Sequence, residues 1–219
     1  MKAFLFDLNG TMIDDMGYHI KAWHTILTNL GADISLERTK EECYGKNNEL
    51  LERIFPGRFS ESEKDSMGYA KEEQYQREFR PNLKLFKGLD QFLEQAYRQQ
   101  IKMAIGSAAI TFNIDFVLDG LHIRHYFSSI VSADNVVKSK PDPETYLKCA
   151  AELGIAPEDC VVFEDAPKGV EAAQNAGMQA VVITSMHTKE EFGAYDNIIG
   201  FIEDYSAPWL QKTFLAATV

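Results

Sequence analysis

Residues 3–11, Ala-Phe-Leu-Phe-Asp-Leu-Asn-Gly-Thr, constrain the fold more than any other stretch of the chain. Four apolar residues run unbroken into the carboxylate of Asp7, and Gly10 then breaks the pattern. A short run with no polar face reads as a strand buried on both sides, the condition of strands in a parallel sheet. Asp7 then stands at the C-terminal end of that strand, the edge at which open α/β sheets bind ligands. Gly10 permits a turn that a side chain would forbid and a close approach to a ligand. Thr11 adds a hydroxyl. A carboxylate so placed can attack an electrophile, bind a metal, or do both.

The pattern changes after Thr11. No strand run occurs over residues 14–80. Met16, Ile20, Trp23, Ile26, Leu27 and Leu30 share one face at helical spacing, and Gly31 stops that helix. Further helices are expected over residues 36–44, 47–54 and 60–79, with a turn at Pro56-Gly57. This makes an all-helical insertion of about 65 residues, small for a lone domain. From Gly88 onward helix and strand alternate. Helices are expected over 88–99, 111–121, 143–153 and 167–176, and strands over 101–107, 129–131, 160–163, 180–183 and 198–202. That alternation implies βαβ units. The expected architecture is α/β: a Rossmann-like, doubly wound parallel sheet core, residues 1–14 and 83–219, with an inserted helical cap domain at 15–82.

The 219 residues suffice for such a core at 45% hydrophobic content. The 22 Lys and Arg against 33 Asp and Glu leave a net charge of −11, with no basic run to hold nucleic acid. An anionic substrate stays compatible, since one metal ion and one lysine can invert the field inside a site. Cys43, Cys149 and Cys160 are widely spaced, with no C-x-x-C, and read as structural thiols in a reducing compartment. No signal segment and no membrane-spanning apolar run is evident. A cytoplasmic protein that binds neither membrane nor nucleic acid is expected, and a monomer.

Four strand ends carry polar residues: Asp7 with Asn9, Ser107, Lys138 with Lys140, and Glu164 with Asp165. A parallel sheet would gather them at one edge. Each alone has a bland explanation in a loop or a helix cap. Together they have coherent chemistry. Asp7, Glu164 and Asp165 repel one another unless a cation joins them. Hard oxygen ligands and an anionic substrate suit Mg²⁺, which takes one or two carboxylates with phosphate and water. Ser107, read as opening a helix, and the following amide of Ala108 can hold phosphate oxygens. Lys140 supplies a point charge for phosphate and nucleophile.

The order Phe-Asp-x-Asn-Gly-Thr, Gly-Ser, Ser-Lys-Pro-Asp-Pro and Phe-Glu-Asp-Ala-Pro-Lys-Gly-Val resembles the haloacid dehalogenase superfamily over nearly the whole chain. The cap directly after the first motif, with His19-x-x-x-Trp23 and Lys71-x-x-x-Tyr75, is similar to the β-phosphoglucomutase-like branch. The resemblance implies that Asp7 is a nucleophile forming an aspartyl-phosphate. It implies Mg²⁺ held by Asp7, Asp165 and the main-chain carbonyl of Asn9, with Glu164 assisting. It implies that Ser107 and Lys140 hold the transferring phosphoryl group.

Two departures bear on function. The family's second aspartate, its acid/base, is Asn9 here, and an amide exchanges no proton near neutral pH. Losing a positioned acid/base costs ~10²–10⁴ in rate. Asn9 is either a substitution made to trap a complex or a natural residue. If natural, it leaves a weak enzyme, one with a relocated acid/base, or a binder. Dehalogenases also lack the second aspartate but need no metal, and Glu164-Asp165 speaks against them. Phosphonoacetaldehyde hydrolases lack it and use a cap lysine as a Schiff base, a role open to Lys46, whose plainer reading is a solvated helix-start lysine. Second, the branch's mutases hold a second phosphate with a basic pair near Gly45, where Tyr44-Gly45-Lys46-Asn47-Asn48 offers only Lys46. Hydrolysis of a small phosphorylated substrate is therefore favoured over mutase action. His19 is either a core residue or faces the site. Hinges at Asp14-Asp15 and at residues 82–84 would let closure bring His19, Lys46, Asn47 and Lys71 toward the substrate.

Overall fold

The computed structural model describes residues 2–215. In chain order the elements are β1 (Ala3–Phe6), α1 (Met16–Asn29), α2 (Leu36–Glu42), α3 (Asn47–Ile54), α4 (Glu61–Phe79), α5 (Leu89–Arg98), β2 (Lys102–Gly106), α6 (Thr111–Gly120), β3 (Ser129–Val131), α7 (Glu144–Leu153), β4 (Cys160–Glu164), α8 (Pro167–Asn175), β5 (Gln179–Ile183), β6 (Ile198–Ile202) and α9 (Pro208–Phe214). The chain divides into two compact units, Met1–Asp14 with Lys84–Val219, and Asp15–Leu83.

The first unit is a six-stranded sheet in the order β3-β2-β1-β4-β5-β6. Every neighbouring pair is parallel. β1 lies at its centre, with Ala3 opposite Lys102 on one side and Cys160 on the other. Its four residues are all fully buried, as a doubly covered strand requires. Side chains alternate between two cores. Ala3 and Leu5 point into one with Tyr146, Cys149 and Leu153 of α7 and Val170 and Ala173 of α8. Phe4 and Phe6 join an aromatic cluster on the other. Phe4 lies 5.4 Å from Phe92 of α5 and 5.4 Å from Phe214 of α9, and Phe6 stacks on Phe163 at 4.7 Å. Helix α9 has no counterpart in the sequence expectation. It is a single short amphipathic stretch behind Pro208, in which Trp209 lies over Gly200. Cys149 and Cys160 are buried, Cys43 half-buried, and none is in a disulfide. Burial pushes the Cys149 thiol up to about 12, so it stays protonated and unreactive at neutral pH.

The second unit is helices α1–α4. Trp23, Leu27, Leu50 and Leu51 form its apolar core. The long polar α4 starts on a reciprocal cap, with the Glu63 amide donating to Ser60 Oγ (3.3 Å) and the Ser60 amide to Glu63 Oε2 (2.8 Å). It buries Gly68, Lys71, Glu72, Tyr75 and Phe79, a helical stripe carrying two opposite charges. Helix α2 stops at Glu42, two residues short of the expected end. The Arg53 guanidinium draws off the carbonyls of Glu42 (2.6 Å) and Tyr44 (2.8 Å), which would otherwise face further helical amides. No helix among the described residues is long and apolar enough to cross a membrane.

Candidate active site

The C-terminal edge of the sheet is built outward from β1. The Asp7 amide donates to the Phe163 carbonyl (3.0 Å), so the β1–β4 ladder runs one residue past the strand and sets Asp7 beside Glu164. The chain then turns sharply, with Gly10 at φ +69° and the amide of Met12 returning to the Leu8 carbonyl (2.8 Å). Two side chains pin this loop from behind: Ser185 Oγ donates to the Gly10 carbonyl (2.7 Å), and the buried Tyr205 hydroxyl donates to the Thr11 carbonyl (3.2 Å).

Lys140 ties the strand ends together. Its Nζ donates to Asp7 Oδ1 and to Glu164 Oε1, both at 2.7 Å, and sits 4.6 Å above the Tyr146 ring. The Tyr146 hydroxyl donates to the same Glu164 oxygen (2.9 Å). Glu164 Oε2 accepts from the amides of Asp165 and Ala166, each at 2.9 Å. Ser107 is buried directly after β2, and its hydroxyl draws the Asp7 carboxyl downward. Its oxygen also accepts from the Ala109 amide (3.2 Å), forming a turn through Ala108. Thr11 Oγ1 donates to Asp165 Oδ1 (3.2 Å).

The electrostatics follow from burial. Desolvation, opposed by the Lys140 charge and helped by that of Glu164, pushes the Asp7 carboxyl up to about 7. Burial, then the charges of Glu164 and Asp7, holds Asp165 well above the ordinary carboxylate range. Burial lowers the Lys140 ammonium, but the charges of Asp7 and Glu164 win and hold it above its usual value. Lys140 thus serves Asp7 and Glu164, and no ion pair of the described residues gives Asp165 a basic partner. A buried carboxylate in that position fits a cation. Hard oxygens of Asp7, Asp165 and the carbonyl at residue 9 match the one or two carboxylates that Mg²⁺ takes.

The two oxygens of Glu164 accept four hydrogen bonds from protein donors. No three His, Cys, Asp or Glu side chains group as metal ligands among the described residues. Two sequence expectations need correction here. Ser107 does not open a helix: α6 begins only at Thr111, whose amide and hydroxyl are capped by Asp134 Oδ2 (2.8 and 2.7 Å). Lys138 lies at the surface, 3.3 Å from Asp142, because the loop after β3 carries only Lys140 inward.

Within the helical unit, His19, Trp23, Asn47 and Lys71 come together. Lys71 Nζ lies 2.7 Å from His19 Nδ1, bonds both oxygens of Glu72 (2.9 and 3.0 Å), and sits 5.4 Å from the Trp23 ring. Asn47 Nδ2 donates to Glu72 Oε1 (2.9 Å). His19 stacks on Tyr75 (3.8 Å), with Nε2 3.3 Å from Asp15 Oδ2, and the Tyr75 hydroxyl donates to that oxygen. His19 is thus a buried residue with both nitrogens engaged. Lys46 stands outside this cluster at the start of α3, where its amide donates to Glu49 Oε2 (2.9 Å).

Tyr146, Gly169 and Glu72 were not assigned a task by sequence reasoning, and Asp15 was read only as a hinge. Gly169 carried a usable signal, a glycine inside a helix that costs stability unless space demands it. Adjacent Lys71 and Glu72 carried none, since neighbouring helical residues diverge.

A doubly wound α/β sheet with a carboxylate–lysine centre at its C-terminal edge defines the class: an enzyme of the Rossmann-like type. The chain belongs to the haloacid dehalogenase-like hydrolase family, whose sequence profile matches residues 4–183. It is 35% identical over 191 residues to the β-phosphoglucomutase of Bacillus subtilis, covering 83% of this chain and 82% of that one. It is 29% identical over 179 residues to a fructose-1-phosphate phosphatase of Escherichia coli, covering 82% and 94%. A solved β-phosphoglucomutase from Clostridium difficile superposes with a TM-score of 0.83 at 26% identity, covering 97% of this chain and 96% of that one.

Proposed function

We propose that this chain is a Mg²⁺-dependent phosphohydrolase that takes the phosphoryl group of a small phosphorylated metabolite onto Asp7. The observation that carries the reading is the single Lys140 ammonium, 2.7 Å from both Asp7 and Glu164, at the end of the central strand. Asp7 is the nucleophile. Lys140, the Ser107 hydroxyl and the Ala108 amide neutralise and orient the phosphoryl oxygens. Asp7, Asp165 and the Asn9 carbonyl would hold Mg²⁺, which supplies positive charge against the phosphate. Thr11 orients Asp165, and Glu164 holds Lys140. The sheet unit is the catalytic core, and Asp15–Leu83 is the cap that selects the substrate.

Hydrolysis is favoured over mutase action because Lys46 is the one basic residue in the Gly45 loop, and a sugar-bisphosphate needs a second anion site. Phosphate release from a panel of phosphorylated sugars and small esters with Mg²⁺ tests the reading. Asp7→Asn should end release, and Asn9→Asp should raise it by at least ~10². Undiminished release by Asp7→Asn would overturn the nucleophile assignment. Interconversion of sugar phosphates without release would favour the mutase.

A further inference from the structure

Position 9 bears on which phosphoryl donors can react, and among the described residues of the sheet unit the hydrogen bonds around Asp7 offer no substitute for it. Transfer to Asp7 forms one O–P bond, breaks another, and leaves an electron pair on the departing oxygen. An alkoxide is about as basic as hydroxide and needs a proton as it leaves. A carboxylate, whose acid has a pKa of about 4, needs none.

The groups around Asp7 accept hydrogen bonds or carry charge. Glu164 accepts four hydrogen bonds, and Asp165 accepts one from Thr11. Lys140 donates to Asp7 and Glu164, and its charge is directed at the phosphoryl oxygens rather than the departing one. His187, on the loop after β5, is held by Glu191 (2.8 Å). His19 has both ring nitrogens engaged inside the helical unit. Asn9 itself supplies an amide, which matches a carboxyl in shape and lends no proton.

We infer that the donors this chain uses are mixed anhydrides of phosphate, acyl phosphates first, and that the phosphoryl group then persists on Asp7. The inference rests on Asp7 being the phosphoryl acceptor. With an acyl phosphate the first step exchanges one carboxylate for another: Asp7 gains the phosphoryl group, the donor leaves as its carboxylate, and no proton moves. In the second step the oxygen of water bonds phosphorus, both its protons depart on dihydrogen phosphate, and Asp7 is again a carboxylate. No side chain at position 9 draws a proton from that water, so the second step is the slow one.

Acetyl phosphate and ethyl phosphate are nearly isosteric and differ in their leaving groups. Each is incubated with the whole protein and Mg²⁺, quenched in acid, and read by intact mass. Acetyl phosphate should add one phosphoryl group, lost in Asp7→Asn, at least ~10² faster than ethyl phosphate. Asn9→Asp should speed labelling by ethyl phosphate ~10²–10⁴, speed labelling by acetyl phosphate far less, and shorten the life of the labelled form. Equal labelling of the unsubstituted chain by both donors, or equal acceleration of both by Asn9→Asp, overturns the inference and leaves Asp7 as nucleophile. Label that persists in Asp7→Asn, or no label in either Asp7-containing protein from any donor, overturns the nucleophile reading as well. The comparison of two donors on the unsubstituted chain needs no variant to fold.

Discussion

A Cβ on Gly169 would lie 1.7 Å from Oε1 of Glu164 and 1.9 Å from its Cδ. The glycine is present for space: the first turn of α8 passes directly over a carboxylate that fastens Lys140, Tyr146 and two backbone amides. Gly169→Ala should therefore reverse the ordinary preference. Helix propensity alone favours alanine by about 1 kcal/mol, whereas overpacking a tight site costs about 1–3 kcal/mol. The variant should unfold at lower urea and lose turnover together, as Glu164 is displaced from Lys140. A variant as stable and active as the parent would show that Glu164 can move without consequence.

Tyr146→Phe keeps the ring beneath Lys140 and removes only the hydroxyl on Glu164. A hydrogen bond to a charged group contributes about 1.5–3 kcal/mol, so urea unfolding should register a loss in that range. Turnover should fall more than KM rises, because Glu164 would hold Lys140 less firmly while phosphate contacts remain. Tyr146→Leu, which also removes the aromatic face under the ammonium, should be worse on both measures. Equal kinetics for the two variants would remove the ring from the account.

What could be read from the sequence was what short-range physics encodes. The apolar runs at residues 3–6 and 160–163 are buried on both faces, and so they announced parallel strands and the carboxylates at their ends. Lys140 was legible because it stands next to proline in a polar loop after a strand. Glu164 was legible as a site residue but not in its task. Which donors fill a carboxylate depends on Tyr146, 18 positions upstream, and on the path of the chain between them. Ser107 misled because a serine after a strand resembles a helix cap, while the true cap, Asp134, lies 23 positions beyond Thr111. The buried pair of Lys71 and Glu72 was hidden for the same reason, since their partners His19 and Asn47 come from other helices.

Asp165 and Glu164 are neighbours that should respond oppositely to metal. Asp165→Ala removes a carboxylate that has only the Thr11 hydroxyl among its described hydrogen bonds, and should abolish Mg²⁺ binding measured by titration calorimetry. Glu164→Gln alters a group whose oxygens are already taken, and should keep Mg²⁺ binding while weakening phosphate binding through Lys140. Undiminished Mg²⁺ affinity in Asp165→Ala, or its loss in Glu164→Gln alone, would reassign the ligand.

The helical unit carries its own acid sensitivity. Burial raises the Glu72 carboxyl, but the charges of Lys71 and His19 and the bonds from Asn47 and Lys71 outweigh it and bring the group down to about 2, from an ordinary 4.5. A carboxyl held below its unfolded value contributes stability that is complete above about pH 4.5 and is lost as pH falls toward about 2. The full contribution is about 3 kcal/mol. Glu72→Gln should lower stability at neutral pH and flatten its dependence on pH between those limits. Hydrogen exchange across α1 and α4, compared at pH 6 and pH 3, would locate the loss. Parallel stability curves for the two proteins through that window would mean that Glu72 is not the group responsible.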